Sequence, residues 1–253
     1  MANNNPLSAL RLALLKMASS LGGGGGGGGG RRPPDISAAL ANPRWPPAWP
    51  FADADFARQD ESRDTRFYDT PRLVYHIDEY AVRALTAYYA RTLPPKADIL
   101  DLCSSWVSHL PDDYEAASVT GLGMVAAELD KNPRLTTRVV RDLNVDPTLP
   151  FPDASFDVIT NVVSVDYLTR PREIFVEMAR VLRPGGTAIM SFSNRCFPTK
   201  AIDIWLRTSD MEHAFIVGCY FHYAGGFGPP AAQDISPNPG VTDPMFIVRA
   251  MKR

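Results

Sequence analysis

The sequence predicts an α/β protein on an open, mostly parallel sheet with helices on both faces, and three observations predict it. Phe156-Asp157-Val158-Ile159 is a short apolar run set off by turn residues, the pattern of a buried strand. Ile174, Phe175, Met178, Val181 and Leu182 then recur at helical spacing, which buries one helix face against a sheet. Pro184-Gly185-Gly186 stops that helix, since proline cannot continue it and glycine accepts a left-handed turn, and Thr187 to Phe192 follows as a strand. Such a strand–helix–strand unit crosses over right-handed and leaves its strands parallel.

A chain of 253 residues suffices for one α/β domain with an extension. Its net charge of −2 argues against a sequence-independent grip on nucleic acid, which needs a basic field. Cys103, Cys196 and Cys219 show neither metal-ligand spacing nor a disulfide framework, and fit a reducing interior. No apolar run approaches the roughly 20 residues that span a bilayer, so a soluble protein is expected, without stable membrane insertion.

Residues 1–34 carry Arg11, Lys16, Arg31 and Arg32 but no acid, and Gly22 to Gly30 form a run that cannot pack. A basic, serine-containing, acid-free leader has the composition of an organelle transit peptide, chloroplast rather than mitochondrion; the alternative is a disordered terminus on a cytoplasmic protein. Residues 35–95 form a Pro/Trp-rich irregular extension, anchored by Trp45, Trp49, Phe51 and Phe56, then a helix from Asp78 to Leu93. The extension reads as surface packing or as a lid. A third unit, residues 96–253, holds the sheet. Its strands are Ala97 to Cys103, Ser118 to Met124, Thr137 to Leu143, Phe156 to Asn161 and Thr187 to Ser193. A short helix is expected at Glu128 to Lys131, with further helices at Lys200 to Leu206 and from Ser209 or Asp210 through Tyr220. Asp243 to Met251 is a final strand, with Ala231 to Ile235 as its partner.

"LPFPDASFDVIT", the apolar helix and "VLRPGGTAIMSF" resemble the fourth strand, following helix and fifth strand of class I S-adenosylmethionine-dependent methyltransferases, the type 11 kind in particular. The resemblance covers Ala97 to Phe197. It implies a Rossmann-like sheet of seven strands with the last antiparallel, S-adenosyl-L-methionine as cofactor and a small-molecule acceptor. It also implies that Tyr75, His76 and Tyr80 face the pocket.

In an open parallel sheet, ligands bind outside the carboxyl ends of the strands. Those ends supply Asp101, Leu102, Cys103, Ser104, Ser105, Gly123, Met124, Asp142, Leu143 and Asn161 as the expected cofactor-binding set. By resemblance, Asp142 meets the adenine amino group, and Asp101 orients the first loop or meets the methionine amine. Asp166, Tyr167 and Asn194 are the candidates beside the acceptor, Asp166 as general base. The structural alternatives are a capping Asp166 and a core Tyr167. Arg195 and Lys200 are candidates for holding an anionic acceptor, against an ordinary solvated loop.

Two departures from the family stand out. The glycines expected after the first strand are replaced by Cys103, Ser105 and Val107, whose side chains crowd a cofactor unless the loop runs differently. Gly123 stands where an acid usually accepts from the ribose hydroxyls, a loss of about 1.5–3 kcal/mol; Glu128 lies close enough in sequence to reach back. Three functions compete: a methyltransferase, a non-catalytic binding or regulatory protein on the same fold, and another small-ligand enzyme using Ser104, Ser105, Ser108 and His109. His213 with His222 lacks a third ligand, so no metal site is expected. Cys196 has no feature that activates a thiol, and Leu102-Cys103-Ser104-Ser105-Trp106 lacks the glycines of a nucleophile elbow.

Overall fold

A computed structural model describes residues 35–253; the basic leader and its glycine run lie outside the described residues. The strands are β1 (Asp98–Leu102), β2 (Ser118–Gly123), β3 (Thr137–Val140), β4 (Phe156–Val162), β5 (Leu182–Phe192), β6 (Ala231–Asp234) and β7 (Phe246–Met251). The helices are α1 (Ala38–Ala41), α2 (Asp64–Phe67), α3 (Glu79–Thr92), α4 (Ala126–Leu129), α5 (Pro171–Val181), α6 (Asp203–Leu206) and α7 (Asp210–Ala224). One seven-stranded sheet runs β3-β2-β1-β4-β5-β7-β6. β1 to β5 pair in parallel, and β7 runs antiparallel to both β5 and β6. Strand order reverses between β1 and β4, the place where such sheets open a ligand crevice.

Alternation along the strands divides the core between two faces. Ile99, Val119, Val158, Ile189 and Ile247 pack with Leu85, Tyr88 and Tyr89 of α3 on one face. Leu100, Ile159, Met190 and Val248 pack with α5 and α7 on the other. Asp78 caps α3 by accepting from the Ala81 amide at 2.8 Å. Residues His213 to Phe221 of α7 are buried without interruption, as a helix apolar on all sides must be. Its outer side is covered by the extension: Trp45 stacks on Phe215, while Trp49, Phe51 and Phe56 surround Tyr220.

Three local expectations are corrected. α5 already ends at Val181, so Pro184-Gly185-Gly186 does not stop it. Those residues bulge from β5 instead: β4–β5 pairing passes from Phe156↔Leu182 to Val158↔Thr187, and Gly185 takes φ +79°. Arg183 ties the bulge down through Asp98 (2.9 Å) and Asp157 (2.8 Å). The short helix is α4, beginning before Glu128 and ending at Leu129, because Asn132 is spent outside it, in the β1–β2 loop. β3 stops at Val140, since Asp142 accepts from the Asn144 amide at 2.9 Å and turns the chain. No described helix is long and apolar enough to cross a membrane.

Candidate cofactor and acceptor site

The carboxyl ends of β1, β2 and β4 and the loops after β3 and β5 surround a cavity of about 540 Å³, a size usual for small-ligand sites. Its floor is organised by Asp101. This buried carboxylate accepts at Oδ2 from Ser104 Oγ (2.7 Å) and Ser108 Oγ (2.8 Å), and at Oδ1 from Thr160 Oγ1 (3.0 Å). Burial pushes its pKa up while the hydroxyl donors pull it down. Asn132 Nδ2 donates to Ser108 Oγ (2.8 Å) and to the Ser105 carbonyl (3.0 Å). Cys103 adopts φ +58°, so the chain makes a left-handed turn where the family has glycine. That conformation costs a non-glycine residue about 1–2 kcal/mol, which the hydrogen bonds to Asp101 offset. The replaced glycines therefore leave a defined loop that borders the cavity and does not fill it.

The missing acid at residue 123 follows from that loop. The Ser104 amide donates to the Leu122 carbonyl at 2.8 Å, which draws the loop over β2. A Cβ on residue 123 would collide with the Ser104 carbonyl oxygen, so only glycine fits. Glu128 supplies the carboxylate on this side: Oε2 accepts from Ser105 Oγ (2.7 Å) and Oε1 from the Arg72 amide (2.7 Å). Both oxygens are engaged, although a carboxylate oxygen can accept a second bond.

The extension forms the roof. Tyr68, Arg72, Val74, Tyr75, His76 and Ile77 line the cavity, with Tyr75 edge-on to Trp106 and Trp106 Nε1 donating to the Val74 carbonyl at 3.2 Å. Buried Asp64 in α2 fastens this segment, bonding Arg58 Nη1 (2.7 Å), Lys200 Nζ (3.1 Å) and Asn144 Nδ2 (2.9 Å). The extension thus packs its tryptophans on α7 and runs residues 68–77 along the cavity.

Of the expected site residues, Asp101, Cys103, Ser104, Ser105, Gly123, Met124, Asp142, Leu143, Tyr167 and Asn194 line the cavity. Leu102, Asn161 and Asp166 do not; each is buried. Asn161 Nδ2 bonds the Leu102 carbonyl at 3.0 Å, so both tie β4 to β1 beneath the floor. The Asp166 carbonyl accepts from the Ile202 amide (2.9 Å), and burial raises its carboxyl pKa to about 8; being walled off, it cannot touch an acceptor as a base. Burial also raises the pKa of Asp142. Lys200 is spent on the extension and not on a ligand, and Tyr80 is exposed at the surface. His213 stacks on Trp205 and His222 on Trp45, and no cluster of metal-ligating side chains occurs among the described residues. Arg72, Tyr68 and Phe197 carried no signal in the sequence, because only the fold brings residues 67–77 across to the loop after β5.

Residues 103–190 match the family model described as a methyltransferase domain. A probable S-adenosylmethionine-dependent methyltransferase of Mycolicibacterium smegmatis is 45% identical over 47 residues, a match spanning 19% of this chain and 18% of that protein. Among solved structures, the PH0226 protein of Pyrococcus horikoshii is 18% identical, with a TM-score of 0.50 over 74% of this chain and 99% of its own. The cyclase SpnF is 16% identical, with a TM-score of 0.50 over 72% of this chain and 88% of its own. The domain match over residues 103–190 and the order of the seven-stranded sheet make the chain similar to class I S-adenosylmethionine-dependent methyltransferases over its central part. That a cyclase shares the fold leaves the reaction to be argued from the site.

Proposed function

We propose that the protein binds S-adenosyl-L-methionine and transfers its methyl group to a small-molecule acceptor. The observation that carries this is the open cavity at the strand ends, with Asp142 on its wall and the divergent loop held at its margin by Asp101. In this reading Asp142 accepts from the adenine amino group, Glu128 takes the place of the acid absent at residue 123, and the Cys103–Ser105 backbone borders the methionine part. The cofactor supplies a methyl group already activated on a sulfonium. What remains for the chain is to hold donor and acceptor in line and exclude water, so no strong base is required. The roof of Tyr68 to Ile77 supports such exclusion.

A binding protein without catalysis is the second reading, favoured by the engagement of both Glu128 oxygens. Calorimetric titration with S-adenosylmethionine and S-adenosylhomocysteine separates the two. The methyltransferase reading expects micromolar binding that falls about tenfold or more in Asp142→Ala, the loss of one hydrogen bond to a charged group. No heat up to millimolar ligand would overturn the methyltransferase reading and favour the binding protein.

A further inference from the structure

Five cationic side chains, Arg58, Arg72, Arg141, Arg195 and Lys200, line the cavity. Four are paired with carboxylates: Arg58 and Lys200 with Asp64, Arg141 with Asp146, and Arg195 with Asp243. Arg72 alone of these has no carboxylate partner among the described residues. Its side chain makes one hydrogen bond, from Nη2 to the Phe67 carbonyl at 3.2 Å. Yet the guanidinium is held in place. Its Cζ lies 4.2 Å from the Phe67 ring centroid and 4.6 Å from that of Phe197, while its own backbone amide is anchored to Glu128. Two aromatic faces thus hold a cation whose remaining N–H groups make no hydrogen bond among the described residues.

A fixed, half-buried guanidinium with spare donors is suited to receive a planar anion, because its fork matches a carboxylate and little side-chain entropy is lost on binding. The surroundings favour an unsaturated acceptor body. Phe197 also meets the rings of Phe67 (5.3 Å), His76 (5.4 Å) and Tyr167 (6.2 Å), so the Arg72 end of the cavity is walled by π faces. It is distinct from the serine loop, where Trp106 and His109 meet Tyr75.

We propose that Arg72 is the specificity residue of the acceptor site, and that the acceptor is a carboxylate-bearing aromatic or otherwise unsaturated small molecule, its carboxylate on the guanidinium and its flat body against Phe197. The word acceptor rests on the methyltransferase reading above; the anion site itself does not. A second source of the same chemistry is the carboxylate of the cofactor's own methionine part, and the test separates the two.

Benzoate and its neutral counterpart benzamide are titrated into wild-type protein, free and saturated with S-adenosylhomocysteine, and into Arg72→Gln and Arg72→Lys, with melting curves to verify folding. Wild-type protein is expected to bind benzoate in preference to benzamide in both states. Arg72→Gln should weaken benzoate about tenfold or more, the usual weight of a charge-assisted hydrogen bond, and Arg72→Lys should recover part of it. The affinity ratio of S-adenosylhomocysteine to methylthioadenosine, which lacks the amino-acid part, should match wild type in Arg72→Gln. A collapse of that ratio would assign Arg72 to the cofactor and overturn the proposal, as would benzoate binding indifferent to residue 72 or absent from wild type. Arg72-dependent benzoate binding by a protein that ignores S-adenosylhomocysteine would keep the anion site while removing the methyltransferase reading.

Discussion

Asp101 and Asp166 both stand near the cavity, both are buried, and their surroundings separate their roles. Asp101 receives three hydroxyl donors, which favour its charged form against burial. Asp166 has a buried Oδ2 with no partner, and burial raises its pKa from the ordinary aspartate range to about 8. The folded state therefore holds a proton that the unfolded state releases, so this residue's contribution is greatest below the ordinary aspartate range and declines as pH climbs toward 8. Asp166→Asn should consequently gain stability relative to wild type between pH 5 and pH 8, read as the difference in denaturant midpoint. A constant difference across that range would show that the carboxyl is already ionised. The sequence placed Asp166 beside the acceptor because the residue follows β4. It could not show that a turn of 3₁₀ helix at Val165–Tyr167 directs this side chain inward while Tyr167 reaches the cavity.

Among elements, the extension gains most from the three-dimensional view. Its tryptophans read correctly as anchors, since large aromatic rings among prolines must be buried by something. The ion cluster at α2 was illegible, because Asp64, Asn144 and Lys200 are far apart in sequence and ordinary in type. Burial acts to raise the Asp64 pKa, but bonds from Arg58, Asn144 and Lys200 outweigh it and the net shift is downward. The attachment is therefore complete above the ordinary aspartate range and is lost as pH falls below it. Asp64→Ala strands the buried Arg58 guanidinium and should destabilise the fold by about 3 kcal/mol. Hydrogen exchange should show faster opening of residues 57–77 than of β4 in this variant. Equal protection of both segments would mean that the aromatic anchors suffice alone.

At the scale of the whole molecule, the parallel character of the sheet followed from two stretches, the β4 strand and the β5 strand, with the helix between them; the seven strands and the antiparallel last one followed only from the family resemblance. Periodicity sufficed there because those segments are buried on both faces. The bulge in β5 and the early stop of β3 escaped it, since bulges and side-chain turns are decided by neighbours. If the cavity is the cofactor site, ligand should stabilise the entire fold. At about one hundred times its dissociation constant, S-adenosylhomocysteine adds about 2.7 kcal/mol, a rise of about 5–10 °C in melting temperature for a chain of this size. A melting curve indifferent to the ligand would count against cofactor binding as a whole. The close approach of Ser104 to Gly123 carries a lesson for redesign. The obstacle at 123 is the backbone of Ser104, so an acid installed there displaces the first loop whatever side chains that loop carries. Changes at 123 and in the loop around Ser104 therefore act on one contact, and their separate energies will not sum to that of the pair.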